Sequence, residues 1–176
     1  MRIIKGNKKL IAFLAIIIMS VCVLGNISVN ALSTAPRATL AQQLLARNNL
    51  VFATRHASGV VDNANVYRNM VDTSQWKAAR RSSYGTAPGG SVYLSQKMLA
   101  SMLDMSYWFS FSVSEIAGGS HSAGSKHYTG ASFDVNRING VAVSSRNIYI
   151  WSFMNRAKQL GATYVAYEGN HVHVQW

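Results

Sequence analysis

An acidic residue, Asp134, stands inside the apolar stretch Ser132-Phe133-Asp134-Val135. A carboxylate in a buried strand is costly unless something compensates it, so this stretch constrains the fold more than any other. Candidate partners are close in sequence or gathered at the C-terminus. Four of the five histidines lie in two segments, His121 and His127 in Ser120–Asp134, His171 and His173 in Glu168-Gly-Asn-His-Val-His-Val-Gln-Trp176. Residues two apart in a strand share a face, which puts His171 and His173 on one side, about 7 Å apart. Glu168 lies just across the turn, within reach of the same cavity. Gly130 allows a tight turn from His127 into the strand that carries Asp134. A first-row metal needs two or three imidazole or carboxylate ligands at about 2.0–2.2 Å, and an open position if it is to do chemistry. His127, Asp134 and His173 can supply that set, and His171 can share the site without coordinating. His56 has no such company and is expected to be structural or at the surface. Arg55 beside it is one of several arginines able to meet a carboxylate in bidentate fashion.

The ends of the chain bound where such a site would work. Arg2, Lys5, Lys8 and Lys9 precede an apolar run from Leu10 to Gly25, and small residues follow to Ala35. That order predicts a secretory signal over residues 1–31, cleaved after Val29-Asn30-Ala31, with Ala35 as a second candidate. The competing reading is an uncleaved anchor, because the run falls a little short of the ~20 residues that span a bilayer. Cys22 lies inside the run, preceded by Val21 where a lipoprotein signal would carry a small residue. A cleaved chain therefore has no cysteine, which excludes a disulfide framework, a thiol nucleophile and a cysteine-held zinc.

The 145 residues after Ala31 fit one domain. They hold thirteen Lys and Arg against six acidic residues. Such a surface either keeps an exported protein soluble or favours anionic partners such as teichoic acids, anionic lipids and acidic glycans. No basic-aromatic repeat supports nucleic-acid binding. The expected location is secreted or in the cell envelope, with the membrane engaged only through the N-terminal signal.

Periodicity predicts a short helix over residues 39–47 with Thr39 as its cap. Residues 48–90 read as a long, mostly irregular excursion with short helical or strand pieces around 60–71, and a loop that long is usually functional. Residues 32–90 are thus an N-terminal helix and a substrate rim, and 91–176 the core of the same domain. A main helix spans 91–107, capped by Ser91 or Ser95, its methionines packing rather than binding a cofactor. Strands follow at 111–117 and 131–136, then a helix at 147–160 that Gly161 terminates. Strands at 163–168 and 171–175 are joined by the Gly169-Asn170 turn.

The segment Ser125-Lys-His127-Tyr-Thr-Gly130-Ala-Ser132-Phe-Asp134 resembles S-x-H-x-x-G-x-A-x-D, the zinc motif of the D-alanyl-D-alanine metallocarboxypeptidases and their D,D-dipeptidase and L,D-endopeptidase relatives. The Hedgehog signalling domain shares that fold. Ser132 for Ala is the one departure, and the Glu-x-x-His-x-His ending is similar to the second half of the signature. The resemblance covers about residues 111–176. It implies an α+β fold, an antiparallel sheet with helices on one side and zinc in a groove on the sheet. It further implies His127, Asp134 and His173 as ligands and Glu168 or His171 as the base. His121 matches a histidine that the Hedgehog domain places at the same offset, where it would orient water or stabilise an oxyanion. The activity implied is hydrolysis of peptidoglycan stem peptides, at D-Ala-D-Ala termini or at a crosslink. The alternative is a module that keeps zinc and binds wall or glycan without catalysis, and a plainer one is a structural domain with no metal.

Overall fold

The computed structural model describes residues 35–176; the expected signal or anchor over residues 1–31 lies outside them. Among the described residues no helix is long and apolar enough to cross a membrane. In chain order the elements are α1 (Arg37–Leu45), β1 (Leu50–Phe52), α2 (Val66–Ser74), β2 (Ala79–Arg80), β3 (Ser91–Val92), α3 (Gln96–Met105) and β4 (Phe111–Glu115). A 3₁₀ turn (Lys126–Thr129), β5 (Ser132–Ile138), β6 (Val141–Ala142), α4 (Ile150–Gln159), β7 (Tyr164–Tyr167) and β8 (Val172–Gln175) complete them.

The fold is α+β, but its sheet is mixed. The main sheet runs β1-β4-β5-β8-β7, with β6 paired to β5. β1 pairs parallel with β4, which corrects the expectation of a purely antiparallel sheet. A strand of three residues, Leu50-Val-Phe, carries too little alternation to announce itself. β2 and β3 form a separate antiparallel pair.

Over residues 132–135 and 172–175 the central strands alternate between two sides. Phe133 and Val135 of β5 and Val172 and Val174 of β8 are fully buried and share one core with Leu40 and Leu44 of α1, Met70 of α2, Leu99 and Leu103 of α3 and Phe153 of α4. Each large aliphatic side chain so buried contributes roughly 1.5–3 kcal/mol. The intervening Asp134, His173 and Gln175 face a cleft on the other side.

Local chemistry sets the helix ends. Ser95 Oγ accepts the Met98 N–H and starts α3, so the main helix begins later than residue 91, whose neighbourhood forms β3 instead. α1 starts at Arg37 after Pro36, and Thr39 lies within it rather than capping it. α2 falls partly where a short helical or strand piece is expected around 60–71 and runs on to Ser74, with the Asn65 side chain accepting from Arg68 N. α4 ends with Gly161 at φ 84°, its N–H on Lys158 O and the Ala162 N–H on Ala157 O. α2 ends in the same motif with Trp76 at φ 64°, its N–H on Thr73 O and the Lys77 N–H on Asp72 O. Glycine enters that left-handed position freely, whereas another residue costs about 1–2 kcal/mol.

Candidate metal centre

β5 and β8 are hydrogen-bonded neighbours in which Asp134 stands directly opposite His173. His173 Nδ1 lies 2.8 Å from Asp134 Oδ1. His127 arrives from the 3₁₀ turn, where Ser125 Oγ accepts its N–H and Gly130 closes the turn at φ 69°. A side chain at Gly130 would meet Tyr93 O at 2.9 Å, so both the conformation and the space require glycine. His127 Nε2 then stands 3.3 Å from Asp134 Oδ1 and 3.3 Å from His173 Nδ1.

The tautomer of His127 follows from its other nitrogen. A carbonyl oxygen only accepts, so Nδ1 donates to Ile116 O at 2.5 Å. Nε2 is the atom turned toward Asp134, a second N–H in the charged ring and a free lone pair in the neutral one. By the same reasoning His121 donates from Nε2 to Gly118 O at 3.0 Å. The His121 ring stacks on His127 with centroids 3.8 Å apart and planes 6° apart. Tyr128 holds the His121 backbone from both sides, its Oη accepting the His121 N–H at 2.6 Å and donating to His121 O at 3.0 Å.

Charge follows burial and contact. Burial alone would raise the Asp134 carboxyl, but hydrogen bonds to His127 and His173 and the nearby imidazole charge outweigh it and hold Asp134 well below the usual carboxylate range. Burial acts to lower His173, and its contact with Asp134 reverses that and raises it. Burial, reinforced by the neighbouring His127 charge, lowers His121 and favours its neutral ring.

His121, His127 and Asp134 each offer a ligand atom, and these atoms all lie within 4.8 Å of one another, so the group can hold a metal ion. His173 belongs to the same cluster by the distances above. Glu168 and His171 sit at the rim: His171 Nε2 is 3.3 Å from Glu168 Oε2 and 3.8 Å from Asp134 Oδ2. The β7–β8 turn brings them there, with the Glu168 N–H on His171 O and Gly169 at φ 84°. All six candidate residues therefore line one cleft of about 1030 Å³, to which Ala57, Ser58 and Tyr84 of the long N-terminal segment also contribute.

The β4–β5 register slips twice, leaving Glu115 opposite Asp134. Such irregularities re-aim side chains beside sites. Glu115 is buried and lines the cleft, and sequence reading did not single it out. Its partner is His56, which is buried rather than on the surface. His56 Nδ1 is 2.8 Å from Glu115 Oε2 and Nε2 is 2.7 Å from Asp62 Oδ1. Ser82 Oγ donates to Asp62 Oδ2 at 2.7 Å and accepts the Gly119 N–H at 3.0 Å. The Glu115 contact, opposed by burial and aided by Asp62, raises the His56 pKa to about 9. No spacing rule links residues 56, 62, 82 and 115, so only the fold brings this network together. Arg55 is exposed and does not line the cleft.

No protein-family model matches the chain, and no curated protein matches it significantly.

Proposed function

We propose that the chain is an exported zinc peptidase of the D-alanyl-D-alanine metallocarboxypeptidase and L,D-endopeptidase type, with the Hedgehog/D,D-peptidase fold, acting on peptidoglycan stem peptides. One observation carries the reading. Ligand atoms at 2.0–2.1 Å from a tetrahedral ion stand about 3.3–3.4 Å from one another. His127 Nε2, Asp134 Oδ1 and His173 Nδ1 are separated by 3.3, 3.3 and 2.8 Å. Nitrogen and carboxylate donors of this kind suit zinc, and three protein ligands leave a fourth position open.

His121 is the alternative third ligand, and its geometry argues against that role. Imidazole lone pairs lie in the ring plane, so the parallel rings of His121 and His127 do not aim at one point. The His127 and His173 planes cross at 62°, so a single point can lie in both. His121 instead buttresses His127 and presents a neutral ring to the cleft.

Zinc, when bound, polarises a peptide carbonyl and acidifies a water. The chain supplies the proton handling. Glu168 is half-exposed and reaches His171, so a proton taken at Glu168 Oε2 or His171 Nε2 can pass to the leaving amine. Export and an excess of basic residues suit a wall substrate and an anionic wall polymer as a secondary partner.

The test is digestion of purified peptidoglycan by zinc-loaded protein, wild type beside His173→Ala, with products read by mass. Release of alanine or opening of crosslinks, lost in the variant, is the expected result. Stoichiometric zinc with no product would replace the peptidase by a non-catalytic zinc module that binds wall or glycan.

A further inference from the structure

A second groove, of about 350 Å³, lies between the start of α1, the end of α2 and the segment joining β3 to α3. It shares no lining residue with the metal cleft. Two aromatic side chains open onto it, Trp76 and Tyr93, 68% and 63% exposed. Two exposed cations flank them, Arg37 and Lys77, and among the described residues no carboxylate lines the groove.

Trp76 is the unusual member. It occupies the left-handed closing position of α2, the place that Gly161 fills at the end of α4. A large side chain there is disfavoured by the backbone and, being exposed, contributes little core packing in return. Strain of this kind persists where the side chain serves something outside the fold.

We propose that this groove binds a segment of an acidic polysaccharide. The apolar faces of sugar rings stack on the Trp76 and Tyr93 rings, and sugar carboxylates meet Arg37 and Lys77. Arg37 is oriented for this: its Nε donates to Leu94 O at 2.7 Å, which fixes the guanidinium at the groove edge. Concavity selects a strand over a bilayer, since residues that enter a membrane interface must project from a convex surface. An acidic peptide satisfies the cations equally well, but it has no flat carbon-hydrogen face for two exposed rings. The site is independent of the peptidase reading and survives its failure.

The probe is an octasaccharide alternating N-acetylhexosamine and uronate, titrated by calorimetry into the full chain at low salt. Neutral N-acetylglucosamine hexamer and oligoglutamate are the comparisons. Binding of the acidic octasaccharide should weaken at least tenfold in Trp76→Gly, while that variant melts no lower than wild type because glycine relieves the backbone. The double variant Arg37→Ala, Lys77→Ala should also weaken binding and flatten its salt dependence. His173→Ala should bind as wild type does. The proposal is overturned if the octasaccharide does not bind, if it binds Trp76→Gly equally, if oligoglutamate binds in its place, or if His173→Ala abolishes binding.

Discussion

Asp134 and His173, thirty-nine residues apart, face each other across adjacent strands with Nδ1 and Oδ1 2.8 Å apart. The ladder itself enforces that pairing. Slipping β8 by one residue would place Val172 or Val174 in the cleft and a histidine in the core. The candidate metal centre and the core are therefore specified by one register.

Glu168→Gln removes a proton acceptor at the rim without touching His127, Asp134 or His173. On the peptidase account it should lower kcat by about 10²–10⁴ while the protein keeps its zinc. Steady-state kinetics on a muropeptide, with metal content measured on the same sample, checks this. If His171→Ala alone has that effect and Glu168→Gln does not, His171 is the base.

His56 predicts a pH dependence of stability. Its partners are Asp62, Glu115 and Ser82, with the Tyr84 ring edge-on at 5.9 Å. Its pKa is about 9 in the fold against 6.5 unfolded. The folded state thus holds the proton more tightly. The stabilisation is fully present below pH 6.5 and is lost as pH rises through 9, with a magnitude on the order of 3 kcal/mol. Melting temperature should fall between about pH 6.5 and 9, and His56→Gln should be less stable at neutral pH with a flatter profile. A wild-type profile that stays level across that window would contradict this.

Gly118 packs against the same network. A side chain there would fall 2.1 Å from Ala64 O and 2.7 Å from His56 Cε1. Backbone cannot yield as a flexible side chain can. Gly118→Ala should cost about 3 kcal/mol or more, read by denaturant unfolding. Gly118 O also anchors His121, so the histidine ring resonances should shift in any folded fraction.

These residues show where sequence reading reaches and where it stops. The C-terminal hairpin was legible because Gly169-Asn170 interrupts an alternating pattern, and His171 and His173 fall where the period of two places them. The helix capped by Ser95 was legible from its apolar spacing, though it starts five residues later and ends two earlier than the 91–107 expected. α2 was legible only as a short helical or strand piece around 60–71, because its buried face carries Asn69 and Thr73 beside Val66 and Met70. Asn69 earns burial by donating to Arg80 O and accepting the Ala117 N–H, partners unknowable before the fold. The β1–β4 parallel pairing and the link from His56 to Glu115 fail for the same reason: both join residues about sixty apart through tertiary contact alone. The clustering of histidines around Asp134 was legible because a carboxylate inside an apolar strand advertises a compensated charge.

The most direct measurement is zinc content of purified protein after dialysis against a weak chelator, wild type beside His173→Ala and His121→Ala. One zinc per chain in wild type and in His121→Ala, with little or none in His173→Ala, is the predicted result. Zinc lost in His121→Ala but retained in His173→Ala would contradict the ligand set, and wild type without bound metal would remove the basis for the peptidase.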